Sequence, residues 1–527
     1  MEALRSNVGT ELLYNDPLLS PLLDKCKRLS EKIRVRRATQ RRVPPSLINV
    51  TLDMPSPGIC DKLVQLYFRT FDTVFRVLHV PTFQREYEAY WNDDLVSKEA
   101  FHQKLLLILA IGTCFYYDDE EKGCPLRSLA STWIFQVQYW LVNIFETGEP
   151  NMEVIQVSAL LLIARQVDRV GTNLIWISAD FPLRIAISEG YHKEPSIHFP
   201  HMRPFEAEMR RRLWATILEL SLQSSLDAGM PPPISCGGFD CLPPANVDDI
   251  ELDAMTELHT TTRTLERFTQ STTQIMLVHT VRLRLKNLQS LTTFENPPSY
   301  QDTLKLGLEV EAICRPHLAL IQSHLSMLSP AEAEPMRFQV KLLDTLTRRF
   351  LLALHEPFAA LAKHDLSYYY SKKVVTESAY RILTYPPPPF QHLPAPVEID
   401  DYSRLQIFGG GIFKHTAWHA LASLITELFD DADQSLFVSP LGASEAYLLD
   451  VIQKHISILR RQIKAGDLDT EAFMSFTCAA AQVSARVQGS TLTGTVTQTA
   501  RSSLEFCCSI LEKELGAQSP KDSAEVL

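Results

Sequence analysis

The sequence predicts an all-α protein, built as one large multi-helix domain behind a basic N-terminal leader. Apolar residues recur at helical spacing in one segment after another, and we find neither hairpin signals nor alternating strand patterns. The composition, with 45% hydrophobic and 21% charged residues, is that of a globular chain with a sizeable core. No repeat of about 33–45 residues is visible, so we do not predict a solenoid.

The leader and a proline-rich linker occupy residues 1–58. The net charge of the chain is −11, yet residues 1–50 contain ten Lys or Arg against five Asp or Glu. A helix is predicted with Ser20 as N-cap and Pro21 at its first position, because apolar residues then recur at spacings of three and four. Four prolines between residues 43 and 58 mark the linker.

The polar face of the leader helix is our candidate functional element. Its basic residues, with two that follow the helix, are Lys25, Lys27, Arg28, Lys32, Arg34, Arg36, Arg37, Arg41 and Arg42. Such a cluster predicts a nuclear-import signal, with non-specific phosphate contacts as a further use. The alternative is a solvated linker helix. A basic segment on an acidic chain fits a targeting signal or docking arm better than a general nucleic-acid surface.

The body of the chain, residues 59–485, is predicted to be helical, and residues 486–527 to form a C-terminal helix or tail. Helices are expected at about 61–75, 99–116, 127–146, 152–168, 173–190, 204–228, 256–290, 300–326, 332–363, 368–384, 411–430, 442–465 and 469–485. We expect Asp61 in a first helical turn, where the helix dipole favours a negative charge. The proline-rich residues 384–403 are expected to be an extended connection.

The surroundings of the protein also follow from the sequence. The longest apolar run, Leu105 to Tyr117, is too short to span a membrane and suits a buried helix. The ten cysteines are scattered rather than arranged as a disulfide framework. We therefore expect a soluble intracellular protein with reduced thiols and no membrane partner.

The segment 204–228 illustrates how the helices are recognised. Pro204 suits the first helical position, Glu206 and Glu208 are expected in the first turn, and each lies four residues before an arginine. Gly229 suits the left-handed position that ends a helix, and the prolines after it prevent its continuation. We interpret Arg210 to Arg212 as the salt-bridged rim of a packed helix. Direct DNA contact by these arginines is the alternative.

The segment RRRLWATILELSLQSSLDAGMPPPISCGGFDCLPPANVDD, residues 210–249, resembles the signature of the fungal-specific transcription factor regulatory domain. Three more segments agree with that family in order: LYFRTFDTVFRVLHVPTF, PLRIAISEGYHKEP and RRFLLALHEPFA. The resemblance covers about residues 60–430, with a signature core at about 60–260. The matching signature positions, taken as structural, include His79, Pro81, Phe83, Arg184, Gly190, His192, Arg211, Arg212, Leu213, Trp214, Gly229 and Pro231.

This resemblance implies a nuclear transcription regulator rather than an enzyme, controlling metabolic genes such as those of secondary-metabolite biosynthesis. It also implies partners: other transcription factors or a second copy of the chain, promoter DNA reached indirectly, and a small-molecule effector. The alternatives are a truncated regulatory-domain protein that acts only through protein partners or is inert, and a helical enzyme on the same scaffold.

In this family an N-terminal binuclear zinc cluster normally precedes the regulatory domain. Such a cluster needs six cysteines within about thirty residues, because each zinc ion requires four ligands. The first 59 residues contain one cysteine, Cys26. We therefore expect no cofactor in this chain, and zinc only if a cluster lies upstream of it.

Other motifs favour ordinary structural roles. Cys236 and Cys241 lack a second ligand pair at zinc spacing, and the helical pair His415 and His419 lacks the glutamate of a zinc protease. The run GGGIFK, residues 409–414, does not fit a phosphate-binding loop. Tyr368 to Tyr370 are expected to begin a helix and to pack on the core. We find no catalytic motif.

Overall fold

The structure, a computed structural model, describes residues 16–40, 54–92, 98–116, 126–147, 150–171, 175–253, 265, 267–293, 298–329, 332–384, 400–409, 414–434, 443–488 and 492–517. All regular secondary structure in these residues is helical, which confirms the predicted all-α class. None of these helices is both long and apolar enough to cross a membrane.

The α-helices within the described residues, in chain order, are α1 Ser20–Gln40, α2 Pro57–Arg69, α3 Val80–Trp91, α4 Lys98–Thr113, α5 Arg127–Thr147, α6 Met152–Val167, α7 Ile175–Ser188, α8 Pro195–His198, α9 Pro204–Ala228, α10 Asp249–Asp253, α11 Thr272–Leu291, α12 Tyr300–Leu325, α13 Ala333–Leu361, α14 Tyr369–Leu383, α15 Asp401–Phe408, α16 Lys414–Gln434, α17 Ala443–Lys464, α18 Thr470–Gln488 and α19 Leu492–Ala517. Two 3₁₀-helices, Phe71–Thr73 and Leu366–Tyr368, lie between them.

One compact unit comprises Ile48–His355 and Tyr385–Leu405. Helix α9 is its centre and packs against α6, α7 and α11, while α4 packs against α2, α5 and α6. Eighteen of the 25 residues of α9 are buried. A helix buried almost all round cannot show the apolar stripe of a surface helix. Which of its polar residues are buried therefore depends on the helices that pack against α9.

The second unit comprises Met1–Leu47, Glu356–Thr384 and Gln406–Leu527. Helix α18 packs against α16, α17 and α19, and α14 packs against α16. The leader helix α1 packs against α19 and buries Leu23, Cys26 and Ile33 on that side. The predicted domain limits at residues 58 and 485 do not coincide with these units, and as domain limits they stay predictions.

The start of the body differs from the prediction. Helix α2 begins at Pro57, four residues earlier than expected, because a proline needs no hydrogen-bond partner at a helix start. Asp61 therefore does not lie in the first turn. The helix ends at Arg69, where the Thr70 hydroxyl donates to the Leu66 carbonyl, and a 3₁₀-helix continues.

Further expectations were wrong. Residues 401–403 of the expected extended connection are helical and begin α15, and Glu208 lies beyond the first turn of α9. Among the described residues of the predicted helix 256–290, residues 267–271 are not helical and α11 begins only at Thr272. Here the Thr269 and Thr272 hydroxyls both donate to Asn246 Oδ1, a side-chain alternative to helical hydrogen bonds. Tyr369 and Tyr370 begin α14 but are exposed and do not pack on the core.

Candidate functional site

The signature arginines lie inside the protein. Arg211 and Arg212 in the third turn of α9 are only 3% and 0% exposed. The expected rim of a half-buried helix was therefore wrong for these two residues. A buried guanidinium must be paired, because an unpaired buried charge carries a large desolvation penalty. The structure shows which carboxylates meet that requirement.

Asp249, at the start of α10, is the centre of one group of ion pairs. Arg212 Nη1 donates to its Oδ1 at 2.7 Å, and Arg76 Nη2 donates to the same oxygen. Arg76 Nη1 also donates to Asp72 Oδ2 at 2.6 Å. The other oxygen of Asp249 accepts the Val80 backbone N–H at 2.8 Å. The carboxylate thus joins α9 and α10 to the segment before α3.

A second group of ion pairs surrounds Arg211. Its guanidinium donates to both carboxylate oxygens of Glu194, which is fully buried. Glu194 also accepts hydrogen bonds from the Ser196 hydroxyl at 2.6 Å and the Leu242 backbone at 3.0 Å. Glu208 lies between the two groups, 3.6 Å from Arg211 and 3.4 Å from Arg212. The predicted pair of Glu208 with Arg212 therefore forms, but in the interior.

The carboxyl groups of this network have unequal proton affinities. Burial raises the pKa of Asp72 to about 7 despite Arg76, and it raises the pKa of Glu208. Although burial also acts on Asp249, Arg76 and Arg212 lower its pKa to about 2. Three guanidinium groups face four carboxyl groups, so the charges balance when one carboxyl is protonated. The raised pKa values point to Asp72 and Glu208 for that proton.

Arg210, the first of the three arginines, has a different environment. Its guanidinium lies 4.1 Å from the ring centroid of Tyr191 and 5.2 Å from that of Phe199, and it donates to the Glu189 carbonyl. These contacts hold the turn that follows α7. All three arginines therefore serve the packing of this unit.

The segment before α3 contributes a histidine to the same network. His79 is the N-cap of α3, with Pro81 within the first turn, and its ring bonds to Thr82 Oγ1 at 2.8 Å and to the Asp249 carbonyl at 3.0 Å. Phe83 is buried against Phe68 and Phe101. This motif fixes α3 to the Asp249 turn.

Gly190 and Gly229 both have positive φ, 73° and 62°, a conformation that suits glycine. Gly229 ends α9 as predicted, and Pro231 follows it. The His192 carbonyl accepts the backbone N–H groups of Asp240 and Cys241 at 3.1 Å each. These residues shape the loops on either side of α9.

Leu213 and Trp214 are buried in α9, and Trp214 lies 5.7 Å from the ring of Phe239. Arg184 is exposed, and among the described residues its ion pair is a 3.4 Å contact with Asp180 one turn earlier.

The basic cluster of the leader lies on α1 in the other unit. Three of its residues bind α19: Lys25 pairs with Glu512 at 2.7 Å, Arg37 pairs with Glu514 at 2.8 Å, and Arg36 donates to the Leu515 carbonyl at 3.2 Å. The exposed basic side chains, which we call the basic face, are Lys27, Arg28, Lys32 and Arg34. Arg41 and Arg42 lie outside the described residues.

The weaker candidates have ordinary contacts. His419 Nδ1 lies 3.0 Å from Glu356 Oε1, and the ring of His415 packs against Trp418. Cys236 donates to the Arg282 carbonyl at 3.3 Å, and Cys241 is buried. No group of three or more potential metal ligands occurs within the described residues. Most of GGGIFK lies outside them.

Comparison with known proteins places these features in a family. Residues 64–308 match the family described as the fungal specific transcription factor domain. The chain is 34% identical to transcription factor opdR of Penicillium oxalicum, over 96% of this chain and 65% of the relative. It is 34% identical to transcription factor lepE of Aspergillus flavus, over 96% of this chain and 61% of the relative.

A third relative is the aspyridones cluster regulator apdR of Emericella nidulans, 35% identical over 82% of this chain and 58% of the relative. The chain thus spans between 58% and 65% of the length of these three relatives. No solved structure matches it.

Residues 64–308, which lie in the all-helical unit around α9, therefore match the fungal specific transcription factor domain. Along 96% of its length the chain is similar to fungal proteins named as transcription factors.

Of the carboxylates in this network, only Glu208 was predicted as the partner of a signature arginine, Arg212. Asp72 and Glu194 were not predicted as partners, and Arg76 was not predicted to belong to the network. Each of these residues lies in or beside one of the four recognised segments. A signal was therefore present: charged residues within the segments that form a buried helical domain.

Proposed function

We propose that this chain acts in the nucleus as a regulator of transcription and that it is not an enzyme. The observation that carries the proposal is its similarity, along 96% of its length, to proteins named transcription factors. Since one relative is named as the regulator of the aspyridones cluster, we propose a set of secondary-metabolite genes as the target. Deletion of the gene followed by transcript profiling tests this. An unchanged transcriptome would contradict it and favour an inert protein.

The contacts of α9 bear on how the chain would reach DNA. Arg211 and Arg212 are held by buried carboxylates and are not available to phosphates. DNA-binding proteins present arginines at the surface, where these side chains contact base edges and phosphates. We therefore propose that the helical domain regulates, and that promoter recognition depends on other residues or on a partner transcription factor.

The basic face of α1 is the proposed import signal and phosphate contact. Its four side chains are exposed, and the two with ion pairs, Lys27 to Glu471 and Arg34 to Glu31, are paired at the surface. Exposed pairs of this kind contribute little free energy and exchange readily for other anions. The face is thus accessible to an acidic import receptor or to phosphate groups.

A charge-matched pair of variants tests this role. Alanine at all four positions of the basic face is expected to move a fluorescent fusion of the chain from the nucleus to the cytoplasm. Its control removes four other exposed cations: Arg184, Arg267, Lys454 and Arg501. The control is expected to stay nuclear. Equal distribution of both variants would contradict the assignment.

The DNA part of the proposal has a separate measurement. If all four side chains contact phosphates, their removal lowers the slope of log affinity against log salt by about 3.6, that is about 0.9 for each contact. A slope near zero for the unaltered chain would remove phosphate contact from the proposal and leave import.

Partners and effectors form the remaining part of the proposal. We propose that the regulatory domain associates with a second copy or with another transcription factor, and that a small molecule controls it. Co-purification of tagged and untagged chains tests self-association. A protein acting only through such partners would change transcripts without binding any promoter itself, which chromatin immunoprecipitation would show.

A further inference from the structure

Two cysteines from opposite ends of the chain meet within one compact unit. Cys26 on α1 and Cys508 on α19 have their sulfur atoms 2.9 Å apart, although 482 residues separate them. Each thiol also faces the carbonyl one turn earlier on the other helix: Cys26 faces Leu504 at 3.6 Å and Cys508 faces Leu22 at 3.8 Å. The two side chains therefore point directly at each other.

This separation is close to that of a covalent bond. The sulfurs of a disulfide lie about 2.05 Å apart, so an approach of roughly 0.9 Å joins them. Helices tolerate such a movement by small changes of side-chain torsion. We propose that Cys26 and Cys508 form a reversible disulfide that fastens the leader helix to the C-terminal helix.

The other contacts of α1 explain why such a bond would matter. Its ion pairs with α19, Lys25 with Glu512 and Arg37 with Glu514, lie at or near the surface. Surface pairs hold a helix weakly. The apolar contact is one narrow stripe that includes Leu23 and Ile33. A covalent bond in the middle of this stripe converts a weakly held helix into a fixed one.

Oxidation of the two thiols to a disulfide requires an oxidant, and hydrogen peroxide is the one in this proposal. The Cys508 thiolate attacks one peroxide oxygen, the O–O bond breaks, and a sulfenic acid and hydroxide form. The Cys26 sulfur then attacks the Cys508 sulfur, the S–O bond breaks, and the departing hydroxide takes up the thiol proton as water. Each sulfur loses one electron, and the peroxide becomes two waters. A dithiol reductant reverses the reaction.

The order of attack follows from the contact between the thiols. The hydrogen bond between the two sulfur atoms lowers the pKa of Cys508 and raises the pKa of Cys26. Cys508 is therefore the better nucleophile. The neighbouring Cys507 is fully buried, and burial raises its pKa to about 12. The vicinal cysteine thus serves as a matched control that should not react.

One consequence rests on the proposed function of the basic face. With the bond formed, Lys25, Arg36 and Arg37 stay on α19 and only the four exposed cations remain accessible. With the thiols reduced, only the surface ion pairs and the apolar stripe hold α1 on α19, as in this structure, so α1 can leave α19 transiently and then present all of them. Oxidation is therefore expected to reduce import or phosphate contact without altering the unit around α9.

The test uses the purified chain with all ten cysteines reduced at the start. After treatment with hydrogen peroxide, the protein is denatured, its free thiols are blocked with N-ethylmaleimide, and its mass is measured by mass spectrometry. We expect eight blocked thiols instead of ten and a cross-linked peptide that joins Cys26 to Cys508. Dithiothreitol is expected to restore all ten. Ten thiols after oxidation, or a bond between other cysteines, would overturn the proposal.

Three variants complete the experiment. C26S and C508S are expected to lose the cross-link, whereas C507S keeps it. The Tm of the wild-type chain and of C507S is expected to rise on oxidation, and the Tm of C26S to stay unchanged. Loss of the bond in C507S alone would overturn the assignment. Because the cross-link is read by mass, it can be present even where nuclear import fails to respond, which would contradict only the proposed role of the basic face.

Discussion

Arg212 in α9 donates to Asp249 in α10 at 2.7 Å, and both side chains are buried. The bond links the two ends of the family signature, which lie 37 residues apart in the sequence. Arg76 shares the same carboxylate oxygen. One aspartate therefore accepts hydrogen bonds from two buried arginines of different parts of the chain, which gives it a central position in the network.

Replacement of Asp249 by asparagine is expected to destabilise the protein strongly. The change removes the carboxylate that Arg76 and Arg212 share and leaves Arg76 with Asp72 and Arg212 with Glu208. Breaking a buried ion pair costs about 3–5 kcal/mol. Urea denaturation measures the loss. The control D180N breaks the exposed pair with Arg184 and is expected to cost less than about 1 kcal/mol. A similar effect of both variants would contradict the central position of Asp249.

A second buried pair permits a double-mutant cycle. Arg284 donates from both terminal nitrogens to the two oxygens of Glu219, each at 2.7 Å. R284M is expected to cost about 3–5 kcal/mol, because it leaves a buried carboxylate unpaired. The double variant R284M/E219L is expected to recover most of that loss, since apolar residues then fill the space. Additive losses would show that the two side chains do not act as a pair.

Asp168 provides a pH dependence whose sign can be derived. Its Oδ2 is buried at the C-terminal end of α6 and accepts no hydrogen bond from the residues that the structure describes. Burial raises the pKa of Asp168 from 3.8 to about 7, with Arg127 opposing. Between these values the folded state binds more protons than the unfolded state. The contribution of Asp168 is therefore favourable at low pH and is lost as the pH rises from about 4 to about 7.

The variant D168N removes this titration. The free energy of unfolding of D168N, relative to wild type, is expected to increase between pH 4 and pH 7 and then to level off. Urea denaturation at several pH values measures the difference between the two proteins. A difference that stays constant over this range, or that changes in the opposite direction, would contradict the raised pKa.

Replacement of Gly190 and of Gly229 by alanine distinguishes the cost of backbone strain from the cost of a steric contact. Both have positive φ, but a Cβ at Gly190 would lie 3.2 Å from the Phe199 ring, whereas a Cβ at Gly229 would have no heavy atom within 4 Å. G229A is expected to cost about 1 kcal/mol from backbone strain alone. G190A is expected to cost about 1 kcal/mol more, because the Phe199 ring must also shift. Thermal denaturation compares them, and equal losses would contradict the steric contribution.

Local signals in the sequence were sufficient for the limits of α9. Pro204 at its first position and Gly229 in the left-handed region mark the limits that the structure shows. The same signals predicted Ser20 as the N-cap and Pro21 as the first residue of the leader helix, and the structure begins that helix one residue earlier, at Ser20. Helix ends depend on the φ preference of one residue and on nearby hydrogen bonds, so a few neighbouring residues decide them.

Local signals failed where side chains provide alternative hydrogen bonds. The stripe from Leu63 to Phe75 is buried as expected, but α2 ends at Arg69, where the Thr70 hydroxyl donates to the Leu66 carbonyl. Residues 267–271 of the predicted helix 256–290 are not helical, because Asn246 binds Thr269 and Thr272. The spacing of apolar residues indicates which side chains are buried. It does not indicate which polar side chains form hydrogen bonds that replace those of a helix.

The sequence by itself determined the all-helical class, the limits of α9 and the family, because these depend on periodicity, on terminal residues and on the order of short motifs. Only the tertiary structure decided that Arg211 and Arg212 are interior charges, since their partners Glu194 and Asp249 lie 17 and 37 residues away. It also decided that Cys26 faces Cys508 across 482 residues. Burial and ion pairing depend on residues that are distant in the sequence, so the residue type at one position does not identify its partner.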